Sequence, residues 1–297
     1  MTPALLLLPD FLLIALGAAL KRTPWFDAAF WRGVERIVYF VLFPALLFRA
    51  LATSPLALGD ASKLIVVGIL FTATGMIASL IVRPLLRLPQ PTFAACFQCG
   101  FRFNSYVALA GASSLGGARG VAAMSLLIGV LVPLVNVAAV AMLIHGRGRG
   151  IGRAIATNPL VIACASGLLW NAAGIAMPAL LAHVLASLSA AALPLGLLAA
   201  GAGLAFVRGT LPLPGLVWWN ALKLGVLPAV ALGLATLFGL SPIERQVAVL
   251  LAAVPTATSA YILAVQMNGV GAPVALLISS GTLLAVFTLP VWLTLIT

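Results

Sequence analysis

The sequence predicts an all-α membrane protein: ten transmembrane helices in two inverted five-helix repeats, with helices 4 and 9 broken and crossing near the midplane. Three observations carry this expectation. Of 297 residues, 63% are hydrophobic and only 7% are charged, whereas a soluble domain carries about a quarter charged residues. The apolar runs are long and continuous, unlike the ~10-residue alternating segments of a membrane barrel. Two of the runs, at matching places in the two halves, are interrupted by polar residues or proline.

A helical span takes ~20 apolar residues. Candidate spans fall at 3–20, 35–52, 63–83, 92–115, 120–144, 158–175, 178–206, 217–239, 246–267 and 272–295. The first is preceded by no basic residue and lacks a clear small-residue cleavage site. It is therefore expected to be a retained span, not a signal peptide. The joints, such as "RPLLRLPQP", "GGARG" and "RGTLPLPG", are short and carry turn chemistry. No joint has room for a soluble domain, so 1–297 reads as one transmembrane domain. Repeat one covers 3–145, a cytoplasmic connector 146–157, and repeat two 158–297.

Charge sets the expected orientation. Lys21, Arg22, Arg32, Arg36, Arg83, Arg87, Arg147, Arg149, Arg153, Arg208 and Lys223 fall in odd-numbered loops, against Arg49, Lys63, Arg119 and Arg245 in even ones. Cytoplasmic loops are enriched in Lys and Arg, so both termini are expected outside. Trp25, Trp31, Trp218 and Trp219 flank spans and read as interfacial anchors. Ten spans split five and five, and an odd number per half inverts the second half. A shift of 155 residues carries Tyr106 to Tyr261, Gly116 to Gly271 and Ser125 to Ser280.

Several function classes drop out. The formal charge of +11 is scattered at span ends rather than gathered in a patch, so nucleic acid is not an expected partner. Cys96, Cys99 and Cys164 lie in apolar runs and make at most half of a zinc set, so no metal is expected. No hydrolase motif, zinc-protease motif or pair of membrane aspartates occurs, so no enzyme is expected.

The interruptions carry the chemistry. In the fourth span Gly100 and the group from Arg102 to Tyr106 break the run; in the ninth "VPTATSAY" does so. Pro255 removes a backbone donor and clashes with the preceding turn, and glycine weakens a helix. Freed backbone groups persist in a bilayer only inside protein or beside water. Paired interruptions point to a binding site near the midplane, with half-helix N-termini aimed at an anion. Arg102, Asn104, Ser105, Pro255, Thr256, Thr258 and Ser259 are the candidate substrate-binding residues. Arg102 has three readings: a substrate or gating residue, a structural cation, or an anchor at a membrane end. The serines and threonines orient a carboxylate or bond back to their own helix.

Pro44, Asn136 and Pro194 are candidate supporting residues. The prolines either kink helices or shape the crossing, and Asn136 either binds ligand or joins helices. Asp10, inside the first run, is a candidate proton relay or partner of Arg102, with a shallow interfacial position as the alternative.

These residues resemble a known family. "LPDFLLIALGAALKRTPWFD" and "VERIVYFVLFPALLFRALATSPL" are similar to the opening of the auxin efflux carrier family of bacterial permeases, within the bile acid/auxin-type transporter superfamily. "GFRFNSYVAL", "NPLVIACASGLLW", "ALPLGLLAAGAGL", "AAVPTATSAYILA" and "ISSGTLLAVFTLPVWL" extend the resemblance over nearly the whole chain. The resemblance implies ten helices in two inverted repeats, an elevator-like movement, and organic anions such as malate, malonate or indole acids. It carries over Asn104 and Pro255 as crossover residues, and Arg102 less firmly. The chain departs from the family at "NSYVAL", where glycine often follows the asparagine. It departs again at Thr258 and Ser259, where an amide often follows the proline. Its central loop is short.

The expected function is therefore a secondary active transporter of small organic anions in the bacterial inner (plasma) membrane. The alternative is a sodium- or proton-coupled symporter of the bile acid type. No cofactor is expected beyond a coupling Na+ or H+. The expected partners are the organic anion and the lipid bilayer, with a homodimer as a candidate assembly.

Overall fold

A backbone surrounded by hydrocarbon must satisfy its own hydrogen bonds, which leaves helices or closed barrels. The computed structural model describes residues 3–53, 58–144, 157, 159–204, 211–267 and 269–296, and all regular structure among them is helical. The chain is an all-α membrane protein. In order, α1 is Pro3–Leu20, α2 Ala28–Ile37, α3 Phe43–Ala52, α4 Leu58–Leu86, α5 Gln90–Phe97 and α6 Ser105–Ile144. After the centre come α7 Pro159–Ala172, α8 Ala179–Ala202, α9 Leu213–Ala221, α10 Leu227–Leu237, α11 Pro242–Ala253, α12 Ser259–Gln266 and α13 Gly271–Ile296. A wide turn over Val38–Leu42 joins α2 to α3, and another over Leu222–Val226 joins α9 to α10.

Among the described residues, five stretches are long and apolar enough to cross a membrane: Ser62–Leu86, Gln90–Leu143, Ala179–Ala202, Leu213–Leu237 and Gly271–Ile296. Gln90–Leu143 is too long for one crossing, and α6 folds back within it. Gly117 takes φ 53°, ψ −138°, and a Cβ on Gly120 would overlap the Ala112 carbonyl. Residues eight apart in a straight helix lie about 12 Å apart, so the two arms of α6 form a hairpin. Leu8–Leu20 and Pro159–Ala172 are shorter apolar helices. Large apolar side chains such as Leu180, Leu237 and Phe287 stand exposed, as lipid contact requires.

Close packing holds α1 against α8 and α3 against α7. A Cβ on Gly17 would overlap the Leu198 carbonyl, and one on Gly201 the Ile14 carbonyl. Small residues bring helix backbones together in this way where lipid removes the hydrophobic drive. Gly167 lies under Phe48, and Asn171 Nδ2 donates to the Leu51 carbonyl at 2.8 Å. Further along α8, Gly196 lies on Tyr106 and Gly203 on Thr258. One face of α8 thus touches both interrupted segments.

Three expectations change. The helix of the second span begins at Ala28, where Asp27 accepts from the Phe30 N–H at 2.7 Å. Lys223 is no loop charge: it sits in the wide turn between α9 and α10 and is 3% exposed. Trp219 and Trp31 are buried, so neither is an interfacial anchor. The count of odd-loop charges loses Lys223 and keeps its sign. The connector 146–157, except residue 157, lies outside the described residues.

The glycine contacts are testable. Gly201→Val should push α1 off α8 and cost about 1–3 kcal/mol by overpacking, seen as a lower melting temperature in detergent. Gly233, with nothing within 4 Å of its would-be Cβ, is the control. Gly233→Ala should be neutral or stabilising, since alanine favours helix by about 1 kcal/mol.

Candidate functional site

The local breaks follow from residue chemistry. After Phe97 the chain tightens into a 3-10 turn at Gln98–Gly100, then leaves helical structure from Phe101 to Asn104. Gly100 is packed against the Ser79 hydroxyl and Leu222 so closely that a side chain would collide. In the second half α11 ends at Ala253 and helix resumes at Ser259, with Pro255 between. Each break exposes backbone groups that a bilayer cannot satisfy.

The two breaks satisfy one another. The Asn104 N–H donates to the Pro255 carbonyl at 2.8 Å. Thr256 Oγ1 donates to the Cys99 carbonyl at 2.8 Å. Gln98 Nε2 donates to the Ala260 carbonyl at 3.0 Å and to Ala95 at 3.2 Å. Asn104 also caps α6, its Oδ1 accepting from the Tyr106 N–H at 3.0 Å and Val107 at 3.3 Å. Residues far apart in sequence thus form one unit.

Arg102 is buried, at 6% exposure. Its Nη1 donates to Gln98 Oε1 at 2.9 Å, and its Nη2 donates to Asn136 Oδ1 on α6. Both partners are neutral amides, and no carboxylate pairs with Arg102 among the described residues. Asp10 is not its partner; Asp10 Oδ2 is buried without a hydrogen bond among the described residues.

A second buried cation, Lys223, lies beside the second break. Lys223 Nζ donates to the Ala252 carbonyl at 2.6 Å and to Leu251 at 3.4 Å. These are carbonyls of the last turn of α11, which have no partner within the helix. A small cavity beside it is lined by Lys223, Trp219, Asn220, Thr256, Pro255 and Gly281, together with Cys99 and Leu277. The buried Trp219 indole N–H has no acceptor among the described residues. Asn220 Nδ2 donates to Leu216 at 2.9 Å and to Ser280 Oγ at 3.1 Å.

The wide turn that carries Lys223 has a cause. Pro228 has no N–H for the Leu224 carbonyl four residues earlier. Trp292 on α13 fills that need, its Nε1 donating to Leu224 at 2.7 Å. Pro44 follows its own wide turn, Val38–Leu42, at the same spacing.

The sequence-derived site residues distribute unevenly. Arg102, Asn104, Pro255 and Thr256 meet at the breaks, and Asn136 joins them through Arg102. Ser105 and Thr258 are half-buried and Ser259 is exposed; they open α6 and α12. Pro194 is exposed inside an unbroken α8. Missed were Gln98, Lys223, Trp219, Asn220 and Trp292. Lys223 gave no clear signal in sequence: its depth, ten residues and about 15 Å along a helix, follows only from the start of α9 at Leu213.

A chain of apolar helices with two joined breaks and buried cations has the form of a membrane transport protein. Residues 148–293 match the family model described as membrane transport protein. Over this stretch the chain is similar to that family, the auxin efflux carriers. No curated protein matches the chain.

Substitutions at two positions test the local account. Asn104→Ala removes a helix cap and should cost about 1 kcal/mol, while Asn104→Ser, which keeps an accepting oxygen, recovers most of it in a thermal melt. Trp292→Phe strands the Leu224 carbonyl and should cost about 1–3 kcal/mol; an unchanged melting temperature would contradict that role.

Proposed function

We propose that the chain is a secondary active transporter of small organic anions, working by elevator-type alternating access around the joined breaks. The observation that carries this is electrostatic. Arg102 and Lys223 are both buried beside the breaks, and their hydrogen bonds go to neutral oxygens. A buried charge without a counter-charge is costly. An anionic substrate entering the crossing lowers that cost.

Residue roles follow. Arg102, fixed by Gln98 and Asn136, supplies standing positive charge behind the break. The N-terminal ends of α6 and α12, at Ser105 and Ser259, add partial positive charge. Asn104, Ser105, Thr256, Thr258 and Ser259 orient a carboxylate, with Asn104 and Thr256 also stitching the breaks. Pro255 keeps the ninth span open. Asp10, whose buried Oδ2 has no hydrogen bond among the described residues, is the candidate proton relay.

The inverted repeat, with repeat one at 3–145 and repeat two at 158–297, has support in packing. Exchanging the first five spans for the second five turns the α1–α8 pairing into the α7–α3 pairing, and both pairs pack closely. In the elevator reading α1, α3, α7 and α8 form a scaffold and the broken helices move against it. The Gly196 and Gly203 contacts of α8 lie at that boundary. The inner membrane, outward termini and a homodimer complete the reading.

Uptake into proteoliposomes of labelled malate, malonate and indole-3-acetate tests the proposal. Saturable uptake of at least one is expected, with a loss of tenfold or more in Arg102→Ala and Asn104→Ala. Uptake of none, or uptake indifferent to both substitutions, overturns it.

A further inference from the structure

We propose that Lys223 is a tethered cation, whose ammonium occupies a monovalent-cation position at the C-terminal end of α11. The inference rests on the transporter reading for its meaning, but its geometry stands apart from any substrate.

Helix C-termini carry partial negative charge and free carbonyls. In transporters with broken helices, such ends together with unwound carbonyls coordinate the coupling Na+. Here α11 ends beside the crossing, and the carbonyls of Leu251 and Ala252 face Lys223 Nζ at 3.4 and 2.6 Å. Nearby, the Cys99 carbonyl takes the Thr256 hydroxyl, and Thr256 lines the same cavity as Lys223. A free monovalent cation would seek this cluster of oxygens. The chain fills it with its own ammonium, which is compact, carries one charge and offers three donors.

The wide turn Leu222–Val226 delivers the side chain to this depth, and Lys223 is 3% exposed. Two N–H groups of the ammonium face carbonyls. The third is left for the cavity, where the Trp219 indole N–H also lacks an acceptor among the described residues. The charge that would accompany an anion as a co-transported sodium ion is therefore covalently built in. It stays with the protein through the cycle, and sodium has no position to occupy beside it. The same residue separates this chain from a sodium-coupled symporter.

The test uses the purified full chain in detergent. Melting temperatures are measured for wild type, Lys223→Ala and Lys223→Met in rising sodium, methylammonium or choline chloride at matched ionic strength. Choline is too bulky for the position and serves as the reference. The Met variant keeps the packed aliphatic stem, so it folds even where the Ala variant does not. Wild type should respond alike to all three salts. The variants should gain a saturable stabilisation of a few degrees from sodium or methylammonium over choline. A folded Lys223→Met that responds to all three salts alike overturns the proposal. So does wild type that sodium selectively stabilises. Neither readout needs a substrate, so failure of the tethered cation and failure of the anion-transport reading are told apart.

Discussion

The structure depends on a mutual repair. A helix interrupted inside a bilayer leaves donors and acceptors that lipid cannot satisfy, and this chain interrupts two. Neither break is stable alone. Asn104 supplies the donor for the Pro255 carbonyl, Thr256 for Cys99 and Gln98 for Ala260. The long-range order of the molecule, from the hairpin of α6 to the placing of α11, serves to bring these segments together. Where they meet, the joined segments share their backbone hydrogen bonds and lie beside two buried cations.

The charge follows from the same economy of acids. The chain has sixteen Lys and Arg against five Asp and Glu. Asp27 caps α2, and Glu244 forms a capping box with Ser241. Neither pairs with Arg102 or Lys223. The two cations instead rest on amide and carbonyl oxygens, which hold their geometry without cancelling their charge. That distinction matters to the proposed transport, because a carboxylate partner would neutralise the charge that the proposal assigns to an anion.

Much of this was legible in the sequence, and the reason is chemical. Glycine, proline and a cluster of polar residues inside an apolar run announce a break, so the segments around Arg102 and Pro255 stood out. Composition announced the membrane. Lys223 did not stand out, because a lysine near the start of an apolar run looks like a loop charge. Only the helix beginning at Leu213 gives its depth. Trp219 read as an interfacial anchor for the same reason. The Trp292–Leu224 hydrogen bond was invisible, since nothing local links an indole to a carbonyl 68 residues away. Asn136 was seen, but its partner was not.

The wide turn at Leu222–Val226 has one more effect. Gly215, Trp219, Lys223, Leu227, Ala231 and Ala235 are all buried, spaced every fourth residue. In an unbroken α-helix a four-residue step overshoots the full turn by about 40°, so this row would wind about 200° around the axis and carry one end out to lipid. The looser turn absorbs one residue, about 100° of that drift. It acts as a phase correction: it lets a simple tetrad pattern of sequence stay on one side of the rod, with the lysine at the point where the correction is made.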